Sequence, residues 1–262
     1  MLCEHGAARV VKYHTLIVFD LDGTLAHSKA PITPDMAERL VRLLARKHVA
    51  VISGCRFGQF RKQFLANLPA EADLSRLFLF PTCGAAFYRH DAGEWREIYA
   101  ERLSPEDKHR IITAMHQALD AEGHRPSRVW GELIEDRGTQ ITFSALGQEA
   151  PLDQKALWDP DQSKRARIRL RLLEHLADFD IKYGGTTSID ITRKGVDKAY
   201  GMRKIMEQLG YTQEDIVFVG DRLEPGGNDH AVRETGVRCV AVRDCLETLG
   251  VIDAILGGEP AA

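Results

Sequence analysis

Apolar residues along this chain fall into short runs that end abruptly in polar, glycine-containing tips. Leu16-Ile17-Val18-Phe19 runs into Asp20-Leu21-Asp22-Gly23-Thr24-Leu25, the pattern of a buried strand that delivers two carboxylates to the loop at its C-terminal end. Thr33-Pro34-Asp35 predicts a helix start, with a capping hydroxyl, proline at the first helical position and an early acid. Leu40, Leu43 and Leu44 form the apolar face of that helix. Val49-Ala50-Val51-Ile52 is a second strand ending in Ser53-Gly54-Cys55-Arg56, and Leu77-Phe78-Leu79-Phe80 a third, followed by Pro81-Thr82-Cys83-Gly84-Ala85. Strand, polar tip and helix in alternation is the βαβ rhythm of a parallel sheet, and open sheets of this kind place their chemistry at strand C-termini.

The rhythm breaks over residues 86–185. Ser104-Pro105-Glu106-Asp107 starts a helix carrying Ile111, Ile112, Met115 and Leu119, and Ile168, Leu172, Leu173 and Leu176 line a second one. Glu132-Leu133-Ile134-Glu135 and Gln140-Ile141-Thr142-Phe143 alternate like half-exposed antiparallel strands, and Asp180-Ile181-Lys182-Tyr183 closes the section. This predicts an α+β module inserted between parallel strands, with Gly184-Gly185 suited to a hinge. Arg165, Arg167, Arg169 and Arg171 are expected on a solvated helix face. The first style then returns. Val196-Asp197-Lys198 opens a helix with Ala199, Met202, Ile205, Met206 and Leu209 on one face and Gly210 as its stop. Ile216-Val217-Phe218-Val219 is a strand ending in Gly220-Asp221-Arg222-Leu223-Glu224-Pro225-Gly226-Gly227-Asn228-Asp229, and Val237–Val242 a last one.

A length of 262 residues allows a substantial core with one inserted module. The 35 Lys and Arg against 38 Asp and Glu leave no basic footprint for nucleic acid and no polybasic patch for a membrane, so a small soluble substrate is expected. Five cysteines, Cys3, Cys55, Cys83, Cys239 and Cys245, are odd in number and contain no Cys-x-x-Cys pair. They suggest reduced thiols in a cytoplasmic setting rather than a disulfide framework or a zinc site. The opening Met1-Leu2-Cys3-Glu4-His5-Gly6 lacks the basic region and apolar stretch of a signal peptide, and no window approaches a membrane span. The oligomeric state stays open, with a homodimer among the alternatives.

Two acids spaced like Asp20 and Asp22 repel each other unless a cation intervenes, and a hard divalent ion such as Mg²⁺ suits such oxygen ligands. A carboxylate beside that ion can attack phosphorus while the second carboxyl moves a proton. The alternative from the spacing alone is a pair of solvated acids at an Asp-Gly turn. Ser53-Gly54 is either a phosphate-binding tip or an ordinary turn, and Arg56 either aids phosphate or faces solvent. Lys198 in a first helical turn runs against the helix dipole unless an anion is near; a surface lysine is the other reading. Asp221 and Asp229, at a strand tip and the end of its glycine-rich loop, would complete an oxygen-rich shell. A Rossmann dinucleotide site is disfavoured, because no Gly-x-Gly-x-x-Gly follows the first strand.

Taken in order, Phe-Asp-Leu-Asp-Gly-Thr-Leu, Ser53-Gly54, Lys194-Gly195-Val196-Asp197-Lys198 and Gly220-Asp221 through Asn228-Asp229 resemble the four motifs of the haloacid-dehalogenase-like superfamily. The resemblance implies an α/β fold: a Rossmann-like parallel-sheet core, residues 1–85 and 186–262, with an inserted α+β cap of type IIB (C2B-type), residues 86–185, that supplies specificity. It implies Asp20 as nucleophile, Asp22 as acid/base, and Ser53, Gly54 and Lys198 as phosphate binders. Mg²⁺ would be held by Asp20, the Asp22 carbonyl and Asp221, with Asp229 as a ligand or behind one.

The expanded Pro-Gly-Gly loop between Asp221 and Asp229 narrows the likeness to the phosphomannomutases of that superfamily and hydrolases related to them, whose cap exit resembles Gly184-Gly185 through Asp190. In those mutases cap arginines grip the distal phosphate. Arg137-Gly138 can stand for the first, with Asp190 as a further substrate contact, but Gly147-Gln148-Glu149-Ala150 occupies the place of the second. Losing a bidentate guanidinium weakens bisphosphate binding. The expectation is therefore an Mg²⁺-dependent phosphatase of a small phosphomonoester, a sugar phosphate, working through an aspartyl-phosphate. A phosphomannomutase or phosphohexomutase is the alternative, and a non-catalytic phosphate-binding module a third reading that the retention of both Asp20 and Asp22 disfavours.

Overall fold

The structure is a computed structural model that describes residues 14–257; the opening stretch Met1–Gly6, with Cys3, lies outside them. In chain order the elements begin with β1 (Leu16–Asp20), α1 (Pro34–Leu44), β2 (His48–Ile52), α2 (Phe57–Gln63), β3 (Leu77–Phe80), β4 (Ala86–Asp91) and β5 (Glu94–Ala100). There follow α3 (Pro105–Ala121), β6 (Ile134–Asp136), β7 (Gln140–Ser144), α4 (Leu152–Trp158), α5 (Ser163–His175), β8 (Phe179–Gly184) and β9 (Ser188–Arg193). The chain closes with α6 (Lys198–Leu209), β10 (Ile216–Gly220), β11 (Arg238–Ala241) and α7 (Cys245–Gly257). It divides into two compact units: one ends at Tyr99 and resumes at Asp197, and the other runs Ala100–Val196.

The first unit is built on a seven-stranded sheet in the order β11-β10-β1-β2-β3-β4-β5. Strands β11 to β3 are parallel. Successive side chains of a strand point to opposite faces, so its all-apolar runs feed two cores. Ile17, Phe19, Val49, Val51, Val217 and Val219 pack with Leu40 and Leu43 of α1 and Ile252 of α7. Leu16, Val18, Ala50, Ile52 and Phe218 pack with Met202 and Ile205 of α6. Strand order reverses at β1, with β2 on one side and β10 on the other, and that reversal opens a crevice at the C-terminal ends of β1 and β10. The predicted cap of α1 is present, Met36 N donating to Thr33 Oγ1 at 3.2 Å.

The unit boundaries differ from the expected 85/86 and 185/186. Residues after 85 do not leave the first sheet: β4 pairs antiparallel with β3, Phe78 opposite Arg89 and Leu79 opposite Tyr88, and β5 extends the same sheet. At the other end β9 is an interior strand of the second unit's sheet. Gly184-Gly185 is therefore no hinge; it sits in the tight connection between β8 and β9, where Gly184 pairs with Ser188.

The second unit is a four-stranded antiparallel sheet, β6-β7-β9-β8. Ile141, Phe143, Ile181, Ile189 and Ile191 of one face pack against Ile111, Met115, Ile168 and Leu172 of α3 and α5. The opposite face is polar, yet it is not half-exposed as its alternation predicts: Gln140, Thr142 and Ser144 are all buried. These groups satisfy one another, Gln140 Nε2 donating to Thr142 Oγ1 at 2.8 Å and Thr142 Oγ1 to Asp190 Oδ1 at 2.7 Å. Arg165 also departs from expectation. It is 3% exposed, ion-paired to the buried Asp159 at 2.7 Å and donating to the Gly185 carbonyl at 2.9 Å, so it ties the start of α5 to the β8–β9 connection. Arg167 and Arg171 are exposed, as expected. Among the described residues no helix is long and apolar enough to cross a membrane, and no disulfide joins Cys55, Cys83, Cys239 or Cys245.

Asp159→Ala would leave the Arg165 guanidinium buried without its carboxylate. Urea unfolding should report a loss of about 3–5 kcal/mol; an unchanged midpoint would mean that Arg165 finds water instead.

Candidate active site

Parallel pairing places the critical loops at one end of the first sheet. Asp20, the last residue of β1, pairs with Ile52 of β2, so Ser53 follows beside it. Phe19 pairs with Val219 of β10, so Gly220-Asp221 emerges on the other side. Asp20, Asp221 and Asp229 each offer a carboxylate oxygen within 4.8 Å of the others. Gly23, at φ +90, is the close approach that makes this fit: a Cβ there would collide with the Asp221 carboxylate. Thr24, fully buried, donates to Asp221 Oδ1 at 3.4 Å.

Lys198 is the first residue of α6, behind the N-cap Asp197, whose Oδ1 accepts from Tyr200 N at 2.9 Å. Its ammonium is 1% exposed and donates to both Asp20 Oδ1 and Asp229 Oδ1. These carboxylates supply the anion that an ammonium at a helix N-terminus needs. Helix α6 can reach this position because Gly84 and Gly201 meet face to face; a Cβ on either would strike the backbone of the other segment. Asp229 Oδ2 accepts from Arg222 N at 3.1 Å, which closes the Pro-Gly-Gly loop onto the site.

Three buried or half-buried carboxylates share one ammonium, so the cluster carries an excess of negative charge. Burial, then the Asp229 and Asp221 anions, push Asp20 up from 3.8 to about 7 against the pull of Lys198. Burial and Asp229 likewise raise Asp221. Burial pulls Lys198 down, but Asp20 and Asp229 outweigh it and the ammonium is held above its ordinary range. Asp20 Oδ2 is buried without a hydrogen-bond partner. An orphaned carboxylate oxygen amid surplus negative charge fits a hard divalent cation such as Mg²⁺, and Asp20, Asp221 and Asp229 are the side chains that would hold it.

Asp22 keeps its carboxylate out of this cluster. Its Oδ1 accepts from Lys29 N at 2.8 Å and from Gln63 Nε2 at 2.9 Å. Ser53 is buried, its Oγ accepting from Cys55 N at 3.2 Å, while Arg56 is exposed. The Ser53–Cys55 loop is braced by the segment after β3, with Thr82 N donating to Cys55 O at 3.0 Å and Cys83 N to Ser53 O at 2.9 Å. Thr82 and Cys83 both take positive φ, 47° and 55°, an uncommon conformation for non-glycine residues. Arg137 and Asp190 belong to the second unit, on the polar face of its sheet. Arg137 Nε donates to Glu135 Oε2 at 2.8 Å, and Glu135 lies opposite Thr142, itself opposite Asp190. Sequence reasoning missed Thr24 and Gln63. Thr24 stands inside a motif already singled out, whereas nothing local marks Gln63, which is 41 residues from its partner.

The chain matches the family described as eukaryotic phosphomannomutase over residues 36–249. It is 27% identical to a phosphomannomutase of Drosophila melanogaster over 224 residues, 83% of this chain and 85% of that one. Among solved structures it resembles a haloacid dehalogenase-like hydrolase from Bacteroides thetaiotaomicron, with a TM-score of 0.61 and 17% identity over 91% of this chain and 92% of that chain. An N-terminally truncated IMP-nucleotidase from Plasmodium falciparum gives a TM-score of 0.69 with 14% identity, covering 95% of this chain and 72% of that one. At these identities the two structures speak for the fold.

The raised Asp20 predicts a pH dependence. An acid whose folded pKa lies above its unfolded value holds extra protons when folded, so stability falls as pH rises from 3.8 to about 7. Raising Lys198 acts only in the alkaline range. Metal-free protein should melt progressively lower between about pH 5 and about pH 7.5, and Asp20→Asn should flatten that slope. Added Mg²⁺ should raise the melting temperature more at the upper pH. An equal gain at both would argue against a cation among these carboxylates.

Proposed function

Since the chain belongs to the eukaryotic phosphomannomutase family, we propose that it is a phosphohexomutase that interconverts hexose 1- and 6-phosphates through an aspartyl-phosphate on Asp20. The observation that carries this reading is the extent of the likeness. The match over 36–249 takes in the whole second unit, Ala100–Val196, together with Ser53, Lys198, Asp221 and Asp229 of the first, so it is not a likeness of the catalytic scaffold alone. It favours mutase over the phosphatase expected from the missing cap arginine.

In this mechanism the Asp20 carboxylate attacks phosphorus in line and the ester P–O bond breaks. Asp22 gives its proton to the departing alkoxide, then takes one from the hydroxyl that receives the phosphoryl group. Lys198 holds Asp20 Oδ1 and offsets the charge gathered there. Ser53 and the adjoining Gly54 amide bind the phosphoryl oxygens. Asp20, Asp221 and Asp229, with the Asp22 carbonyl, would hold Mg²⁺, which would supply further neutralisation of phosphate. Arg137 and Asp190 select the sugar. The substrate is thus a small phosphorylated sugar, in keeping with a cytoplasmic enzyme.

A phosphatase remains the second reading, on one observation. The stretch Gly147-Gln148-Glu149-Ala150 contains no cation, and the nearby Lys155 ammonium donates to the Gln148 carbonyl at 2.9 Å.

With Mg²⁺, mannose 1-phosphate and a trace of hexose bisphosphate, mannose 6-phosphate should form faster than free phosphate. Phosphate without isomer would replace the mutase with the phosphatase. Asp20→Asn should abolish both products while the far-ultraviolet circular dichroism is kept; retained turnover would remove Asp20 as nucleophile.

A further inference from the structure

Asp22 lies in a tight loop. An isolated bridge joins it to Ala26, and Gly23 N donates to Ala26 O at 2.7 Å. Both donors to its carboxylate, Lys29 N and Gln63 Nε2, fall on the same oxygen, Oδ1. Gln63 is the last residue of α2 and is 2% exposed. A polar amide this deeply buried needs partners for both ends, and it has them. Its Oε1 accepts from Gln59 Nε2 at 3.1 Å, one helical turn earlier. An ionised carboxylate can only accept, so the amide has one orientation that satisfies both neighbours: carbonyl to Gln59, NH₂ to Asp22.

The backbone at Gln63 is held as well. Its carbonyl accepts from Ile32 N at 3.0 Å, in the segment leading away from the Asp22 loop, and from Asn67 Nδ2 at 3.2 Å. The amide therefore stands on a frame sewn to the loop it braces. A hydrogen bond to an ionised acceptor is stronger than one between neutral groups, so it can hold a chosen carboxyl rotamer.

We propose that Gln63 is a positioning residue for Asp22: with Gln59 behind it, it holds Oδ1 and leaves Oδ2 as the oxygen that exchanges a proton with the reacting hydroxyl. This rests on the acid/base role of Asp22 in the proposed reaction. Gln63 itself touches no reacting atom.

The test separates proton transfer from phosphoryl transfer. With 4-nitrophenyl phosphate, phosphorylation of Asp20 releases 4-nitrophenolate, a leaving group that needs no proton; the phosphoryl group can then leave Asp20 only for a hydroxyl, from water or a hexose phosphate, that must lose one. Rapid-mixing measurements on Mg²⁺-loaded Gln63→Met should give a nitrophenolate burst slowed less than about threefold, while transfer from Asp20 slows about tenfold with KM little changed. Asp22→Asn is the reference and should show the same split, more strongly. If Asp22→Asn shows the split and Gln63→Met does not, the positioning role is overturned. If Asp22→Asn slows both steps equally, the acid/base reading has failed first, and Gln63 falls with it. Should Gln63→Met melt out, Gln59→Leu, which removes only the group steering the amide, must show the split in weaker form; a burst and transfer both like the wild type would overturn the proposal.

Discussion

The site depends on a single ammonium. Lys198, itself buried, stands between the buried Asp20 and Asp229, and without it three carboxylates would crowd one another uncompensated. A buried ion pair by itself is weak support for a fold, because desolvation offsets the attraction. Here the two carboxylates also belong to the cluster suited to a cation. One Asp20 oxygen is tied to Lys198 while the other is left without a protein partner, and the remaining negative charge asks for a cation. The cluster is thus a charge balance that a divalent cation such as Mg²⁺ would complete, in keeping with sites that give up stability for function.

Several unrelated features of the chain serve that balance. Lys198 reaches Asp20 because α6 is seated close to the segment after β3, which requires glycine at both Gly84 and Gly201. The same segment, through Thr82 and Cys83 in left-handed backbone, braces the Ser53 loop. Gly23 lets Asp221 approach, and Gln63 pins Asp22 from α2. Each device lies on the first unit, so Asp20, Asp22, Lys198 and the carboxylates suited to a cation share one framework. Rigid elements hold such geometry better than free loops do.

The second unit raises a different question. Its sheet keeps one face for its own core and the other for polar pairs, the buried Glu135 with the half-buried Arg137, and the buried Gln140 and Thr142 with the half-buried Asp190. In the proposed reaction these polar groups read the sugar hydroxyls, and a mutase additionally needs a hold on a second phosphate. The Gly147–Ala150 stretch withholds a guanidinium there, whereas the family likeness spans the whole unit. That tension sets the proportion of isomer to free phosphate as the decisive property of this protein.

The parallel core strands, the capped starts of α1, α3 and α6, and the four motifs were legible in the sequence because each is written locally. A continuous apolar run demands burial, a Thr-Pro-Asp or Ser-Pro-Glu-Asp step can only begin a helix, and a carboxylate after a buried strand must emerge at its C-terminal end. What escaped is contact between distant segments. Local periodicity could not say that β4 and β5 would continue the first sheet, since an alternating strand accepts a partner from either unit; pairing with β3 decided it. Arg165 looked like its exposed neighbours until Asp159 and Gly185 closed around it. Gly184-Gly185 carried the composition of a hinge but became the end of a hairpin through the register of β8 with β9. The sequence alone thus determined that Asp20 and Asp221 would emerge together at one end of the sheet, because each directly ends or follows a buried parallel strand. Only the tertiary structure decided which groups hold them in place, because a hydrogen bond such as Gln63 to Asp22 joins positions that no local pattern relates.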